Sequence, residues 1–356
     1  MIRYFVLTLL ISACTSETAK QDRLKDLLGD FPTPPPLKID TLETVSMEGG
    51  LRYKITYLSE NQDTILNEPA DWINAYLFVP DHQEGDQLPA VIATHQDGSN
   101  QHLGKLEPAG LAGDEDQHYG LELYRRGYVV ICPDRYFHAE RRRIPKEDTV
   151  NINTDRDLKL FDFRTGQLLL KGRTAAGKMA YDLSRAVDVL EKLEFVDVNK
   201  IGAIGHSGGG MALLYFMTTD SRVKAGVSSC GMFELIDYFG EDAPSMIPGV
   251  FAIPGLADVG SNADYLGMIS PRPVLLSRGV NEYGTSTSEQ KAKSKKHVNS
   301  TRNMVAHARK YYEQQGAEDH LKAIYFSEEG GKHAFPKEIR EIAYNWLDKH
   351  LQPEKQ

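Results

Sequence analysis

The chain reads as an α/β protein: a mainly parallel sheet with helices on both faces and two loop insertions at the edge where such sheets build their sites. Three observations carry this reading. From Pro89 onward, short apolar runs recur without polar alternation, as strands buried on both faces do. Helical spacing lies between them, as in Leu183, Ala186, Val187 and Leu190. Two connections, about 136–168 and 231–268, exceed the usual few residues. Strand and helix in alternation give a mainly parallel sheet by right-handed crossovers.

Taken in order, Met1-Ile2-Arg3 supplies a positive start and Tyr4 to Ile11 an apolar core. Ile11-Ser12-Ala13-Cys14 then places small residues before a cysteine. This is a short export leader resembling a bacterial lipoprotein cleavage box, with residues 1–13 as signal peptide and Cys14 as the lipidated residue. The apolar stretch is shorter than the roughly 20 residues needed to span a bilayer. The expected location is the bacterial cell envelope, with the chain held to the membrane through its N-terminus.

Residues 14–36 are polar and then proline-rich, ending Phe31-Pro32-Thr33-Pro34-Pro35-Pro36, and read as a tether or N-terminal arm with one short amphipathic turn. The main domain is expected over 37–352. Alternating Tyr53 to Tyr57 and Ala75 to Val79 predict antiparallel strands. The predicted parallel strands are 89–94, 128–131, 201–204, 225–229, 273–276 and 321–326.

Composition narrows the function. In 356 residues with 41% hydrophobic and 26% charged content, the formal net charge of -9 leaves no basic face for nucleic acid. Lys291 to Lys296 reads as the solvated start of a helix, and Arg141-Arg142-Arg143 as a solvated loop. Three cysteines give no disulfide framework; Cys132 and Cys230 read as inert buried thiols. Histidines and carboxylates do not cluster at metal-binding spacings, and no G-x-G-x-x-G follows a strand, so neither metal nor cofactor is expected.

The chemistry concentrates in Gly205-His206-Ser207-Gly208-Gly209, between an apolar strand and a helix. That context makes a G-x-S-x-G match a nucleophile elbow, with the serine hydroxyl raised on a strained turn above the sheet. A serine needs a base, and the base an orienting acid; both follow the serine in the chain order of this elbow type. His333, in the flexible turn Gly330-Gly331-Lys332-His333 after the last strand, is the expected base. Glu282, just past the strand ending at Ser277, is the expected acid, with Asp258 or Asp264 as fallback. The oxyanion donors are expected to be the backbone N–H groups of Gly208 and Gln96. His95 is expected to shape its loop rather than act as base.

With Thr94-His95-Gln96, Glu122 to Val130, Gly205 to Gly209, Ser270 to Leu275 and Gly331 to Phe335, the chain resembles the dienelactone hydrolase and acetyl xylan esterase branch of the α/β hydrolases. The resemblance spans roughly residues 24–350 and implies an α/β-hydrolase catalytic domain: a serine esterase acting through an acyl-enzyme on small acyl or carbohydrate esters. Two departures bear on substrate. Dienelactone hydrolases carry cysteine where Ser207 stands. Glucuronoyl esterases, similar in layout, carry an arginine beside the serine, where His206 and Gly208 stand here. The alternatives are a peptidase of the same fold or a catalytically inactive binding protein of that fold.

Overall fold

A computed structural model describes residues 18–97, 101–142, 154–238 and 251–352. Cys14 and Arg143 lie outside the described residues, as do parts of both insertions. One nine-stranded sheet runs in the order β1-β2-β3-β5-β4-β6-β7-β8-β9. Strands β1 (Ile39–Met47), β2 (Gly50–Glu60) and β3 (Asp71–Pro80) pair antiparallel, and β3 joins β5 (Val129–Pro133) antiparallel. From β5 through β4 (Leu88–Thr94), β6 (Val196–His206), β7 (Ala225–Ser229), β8 (Val274–Gly279) and β9 (Leu321–Phe326), every pairing is parallel. Each strand foreseen in the sequence is present. β1 was not foreseen: as an edge strand it is largely exposed, so it lacks the one-sided apolar alternation that marks a strand.

Helices cover both faces. On one face lie α4 (Ala175–Leu190), α5 (Gly208–Thr219), α7 (Asn262–Met268) and α8 (Ser288–Gln314). The predicted stripe Leu183, Ala186, Val187 and Leu190 is buried in this layer. On the other face, α2 (Tyr119–Arg125) and α9 (Lys337–Leu351) bury Tyr119, Leu123, Ile339 and Leu347. The remaining helices are α1 (18–26), α3 (Thr154–Leu170) and α6 (Leu256–Val259). Thr287 caps α8 in a box with Gln290, which starts the helix ahead of the exposed lysines as expected. Among the described residues, no helix is long and apolar enough to cross a membrane.

Two readings need correction. The stretch 18–36 is no free tether. Leu24 and Leu28 enter the core, the Tyr265 hydroxyl donates to the Leu24 carbonyl at 2.6 Å, and Lys20 pairs with Asp264 at 2.7 Å. A local polar composition hides two leucines whose partners are distant in the chain, Tyr265 for Leu24 and Thr174 for Leu28. Arg141 and Arg142 are buried rather than solvated. Arg141 bridges Asp71 at 2.6 Å and Asp182 at 2.7 Å, and Lys178 joins the same carboxylates at 2.9 and 2.7 Å. Those acids come from β3 and α4, so the pairing exists only once the sheet is assembled.

Candidate active site

Ser207 sits between β6 and α5 at φ 52°, ψ -124°, a region costly for a residue with a Cβ. The chain is held there from both sides: the Ser207 N–H donates to the Ser229 carbonyl at 2.8 Å, and the Met211 N–H to the Ser207 carbonyl at 2.9 Å. The turn is also pressed against its neighbours. A Cβ on Gly205 would fall 2.7 Å from the Gly209 carbonyl carbon, and one on Gly209 2.5 Å from the His95 carbonyl oxygen. Side chains at either position would pry the elbow from β4, which is why the serine is framed by glycines.

His333 reaches Ser207 from the loop between β9 and α9. Its Nε2 lies 2.8 Å from Ser207 Oγ, and its Nδ1 lies 3.5 Å from Glu282 Oε2. The loops carrying His333 and Glu282 are tied together: the Val280 N–H donates to the Phe326 carbonyl at 3.0 Å and the Asn281 N–H to the Gly331 carbonyl at 2.7 Å. His333 is partly open to solvent, whereas Glu282 is only 3% exposed. Ser207, His333 and Glu282, the three residues expected to act together, are thus brought into one constellation.

Sequence reasoning missed what surrounds the acid. Arg278, buried at the end of β8, donates to Glu282 Oε2 at 2.8 Å, to the Met232 carbonyl at 2.7 Å and to the Cys230 carbonyl at 3.3 Å. His297 from α8 places Nε2 3.0 Å from the same carboxylate oxygen. Burial alone would raise the Glu282 carboxyl, but the Arg278 guanidinium and the His333 contact outweigh it and hold it at about 2. Burial, aided by the charge of His333, lowers His297 to about 3, so it stays neutral. The four-residue spacing of Arg278 and Glu282 was visible; that it spans a strand end with both groups buried was not.

The fallback acids stand elsewhere. Asp264 closes the α7 capping box and is shared by Lys20, His307 and Tyr311; Asp258 is exposed on α6. His95 is buried and ties its loop down, Nε2 accepting from the Arg135 N–H at 3.0 Å and Nδ1 lying 2.7 Å from the Gln96 carbonyl. Gln96 turns its side chain away to Glu107 at 3.3 Å. Its backbone N–H has no acceptor among the described residues, and that of Gly208, first in α5, has none within its helix.

A cavity of about 300 Å³ opens over the serine. Met211, Phe233, Phe251 and Tyr283 give it apolar walls, and Ser207, His333, Glu282, His297 and Asp97 supply its polar groups. Phe233 and Phe251 come from the second insertion. Cys230 is buried as expected but borders the site, its φ of 49° as unusual as the serine's, and burial raises its thiol well above the ordinary range. Donor atoms of Cys230, Glu282 and His333 lie within 4.8 Å of one another, the only such metal-capable group among the described residues. Arg278 and Ser207 already engage two of them.

Residues 170–249 match the prolyl oligopeptidase family, which is family S9 of the peptidases. The protein YtaP of Bacillus subtilis (strain 168), named as a hydrolase, is 27% identical over 267 residues, 74% of this chain and 80% of its own length. Among solved structures, a Bacteroides fragilis protein described as an acetyl xylan esterase superposes with a TM-score of 0.70 at 16% identity, covering 94% of this chain and 86% of that one. A glucuronoyl esterase from Solibacter usitatus gives 0.61 at 14% identity, over 94% and 92%. Acetyl xylan esterase 1 from Thermoanaerobacterium gives 0.54 at 15% identity, over 95% and 94%.

Proposed function

We propose that this chain, whose fold is that of the α/β hydrolases, is a serine hydrolase that cleaves carboxylic esters of small acyl groups, acetylated carbohydrates among them, through an acyl-enzyme. The observation that carries the reading is the 2.8 Å contact between His333 Nε2 and Ser207 Oγ, on an imidazole backed by the buried carboxylate of Glu282. Ser207 Oγ attacks the ester carbonyl as its proton passes to His333 Nε2. Glu282 stabilises the resulting imidazolium, and the N–H groups of Gly208 and Gln96 receive the oxyanion. The carbonyl re-forms, the C–O bond to the alcohol breaks, and His333 returns its proton to the leaving oxygen. Water then repeats the cycle on the acyl-Ser207 ester, releasing the acid. No step calls for a metal or an organic cofactor.

The similarity to carbohydrate esterases supports an ester as substrate, and the small apolar cavity supports a short acyl group. The family S9 match over 170–249 favours a second reading, a peptidase using the same residues. A panel of acetyl, longer acyl and feruloyl esters, acetylated xylan and peptide amides separates them, with His333→Ala as control. Ester turnover without amide turnover supports the first reading; the reverse supports the second. If no substrate turns over and a fluorophosphonate leaves Ser207 unlabelled, the chain is an inactive binding protein of this fold. The leader ending at Ala13 supports export and lipidation at Cys14. Incorporation of a palmitate analogue that Cys14→Ser abolishes is the expected result; equal incorporation in that variant refutes it.

A further inference from the structure

Among the described residues, Asp97 is the one acidic side chain in the cavity wall that no part of the proposed mechanism uses. It lies against the residue after the nucleophile: a Cβ on Gly208 would come within 2.5 Å of the carboxylate. Its Oδ1 is fixed from behind by the buried Arg135 guanidinium and by His138 Nε2 at 3.3 Å. Its Oδ2 has no donor among the described residues, and the side chain is 30% exposed toward the cavity. Burial would raise this carboxyl, but Arg135 and His138 hold it well below the usual carboxylate range, so it is an anionic acceptor at neutral pH.

Resting on the esterase reading, we infer that Asp97 Oδ2 accepts a hydrogen bond from a free hydroxyl of the alcohol half of the substrate, so the site selects partial esters of polyols or sugars. A held acceptor facing a ligand cavity is satisfied by a neutral donor without charge to desolvate. A cationic donor fits less well, because Arg135 already balances Asp97 and Arg278 already balances Glu282, the other carboxylate at the cavity. A carboxylate on the substrate would meet like charge. Contact with Gly208, whose N–H is the proposed oxyanion donor, places the acceptor beside the reacting carbonyl. A hydroxyl on the carbon next to the esterified one is the shortest-reach donor of this kind, and the test uses it.

The test compares 2-hydroxyethyl acetate with n-propyl acetate, in which a methyl replaces the hydroxyl. Wild-type enzyme is expected to favour the hydroxyl ester in kcat/KM by about tenfold or more, the effect of one charge-assisted hydrogen bond. Asp97→Ala is expected to bring the ratio to about one or below, and Asp97→Asn to an intermediate value. A wild-type ratio of one or less, or an unchanged ratio in Asp97→Ala, overturns the inference while leaving the esterase reading intact. If Asp97→Ala does not fold, Asp97→Asn and the wild-type ratio carry the same decision. Failure of wild type to hydrolyse either ester overturns both.

Discussion

Replacing Glu282 by Gln keeps the side chain's shape and removes its charge. Three groups converge on the carboxylate: Arg278 at 2.8 Å, His297 at 3.0 Å and His333 at 3.5 Å. An amide cannot serve them all. With its oxygen toward His333 it no longer stabilises the imidazolium; with its NH₂ there, donor faces donor. In a serine protease the corresponding acid-to-amide change costs about 10⁴ in kcat. The 3.5 Å contact here is long for a strong hydrogen bond, so the expected loss is about 10² to 10⁴, or roughly 3–5 kcal/mol. Stability should fall as well, because Arg278 is 1% exposed and loses its anion. Breaking a buried pair from one side costs about 3–5 kcal/mol, and the retained bonds to the Cys230 and Met232 carbonyls favour the lower figure. Steady-state kinetics and denaturant unfolding measure the two effects. Adding Arg278→Met to Glu282→Gln should recover stability without recovering kcat. A kcat loss below about tenfold in a folded Glu282→Gln enzyme would refute Glu282 as the orienting acid.

Ser207→Gly should be more stable than Ser207→Ala by about 1 kcal/mol, since φ 52° strains any residue with a Cβ; equal melting temperatures would show that the strain is absent. Leu24→Ala should cost about 2–5 kcal/mol in denaturant unfolding, because this arm residue is fully buried; a cost near zero would return 18–36 to a loose tether. Burial lowers His95, His138, His206 and His297 below the ordinary histidine value. Below about pH 6.5 the unfolded chain therefore binds more protons than the native one. Stability should fall from pH 7.5 to 5.5 by on the order of 1 kcal/mol for each such histidine. A flat profile over that window would contradict their burial in neutral form.

Much of the sheet was legible because buried parallel strands write themselves as uninterrupted apolar runs; Ser207, Glu282 and His333 could be singled out because each lies in a segment that follows a strand, in the chain order of this elbow type. What was illegible is non-local. Arg141 looks like loop charge until Asp71 and Asp182 converge on it. Arg278 and His297 look unrelated to catalysis until β8 and α8 close over Glu282. In the loop after β4, attention falls on Gln96 as a backbone donor. The next residue carries the side chain that faces the cavity, and no local pattern says that Arg135 and His138 will hold it there.

Ser207 as the nucleophile of an ester hydrolase is tested by acetyl ester turnover in wild type and Ser207→Ala, with fluorophosphonate adducts located by peptide mass mapping. A single adduct on Ser207 and a loss of turnover of about 10³ or more in the alanine variant are expected. Wild-type turnover by Ser207→Ala, or an adduct on another residue, would contradict it.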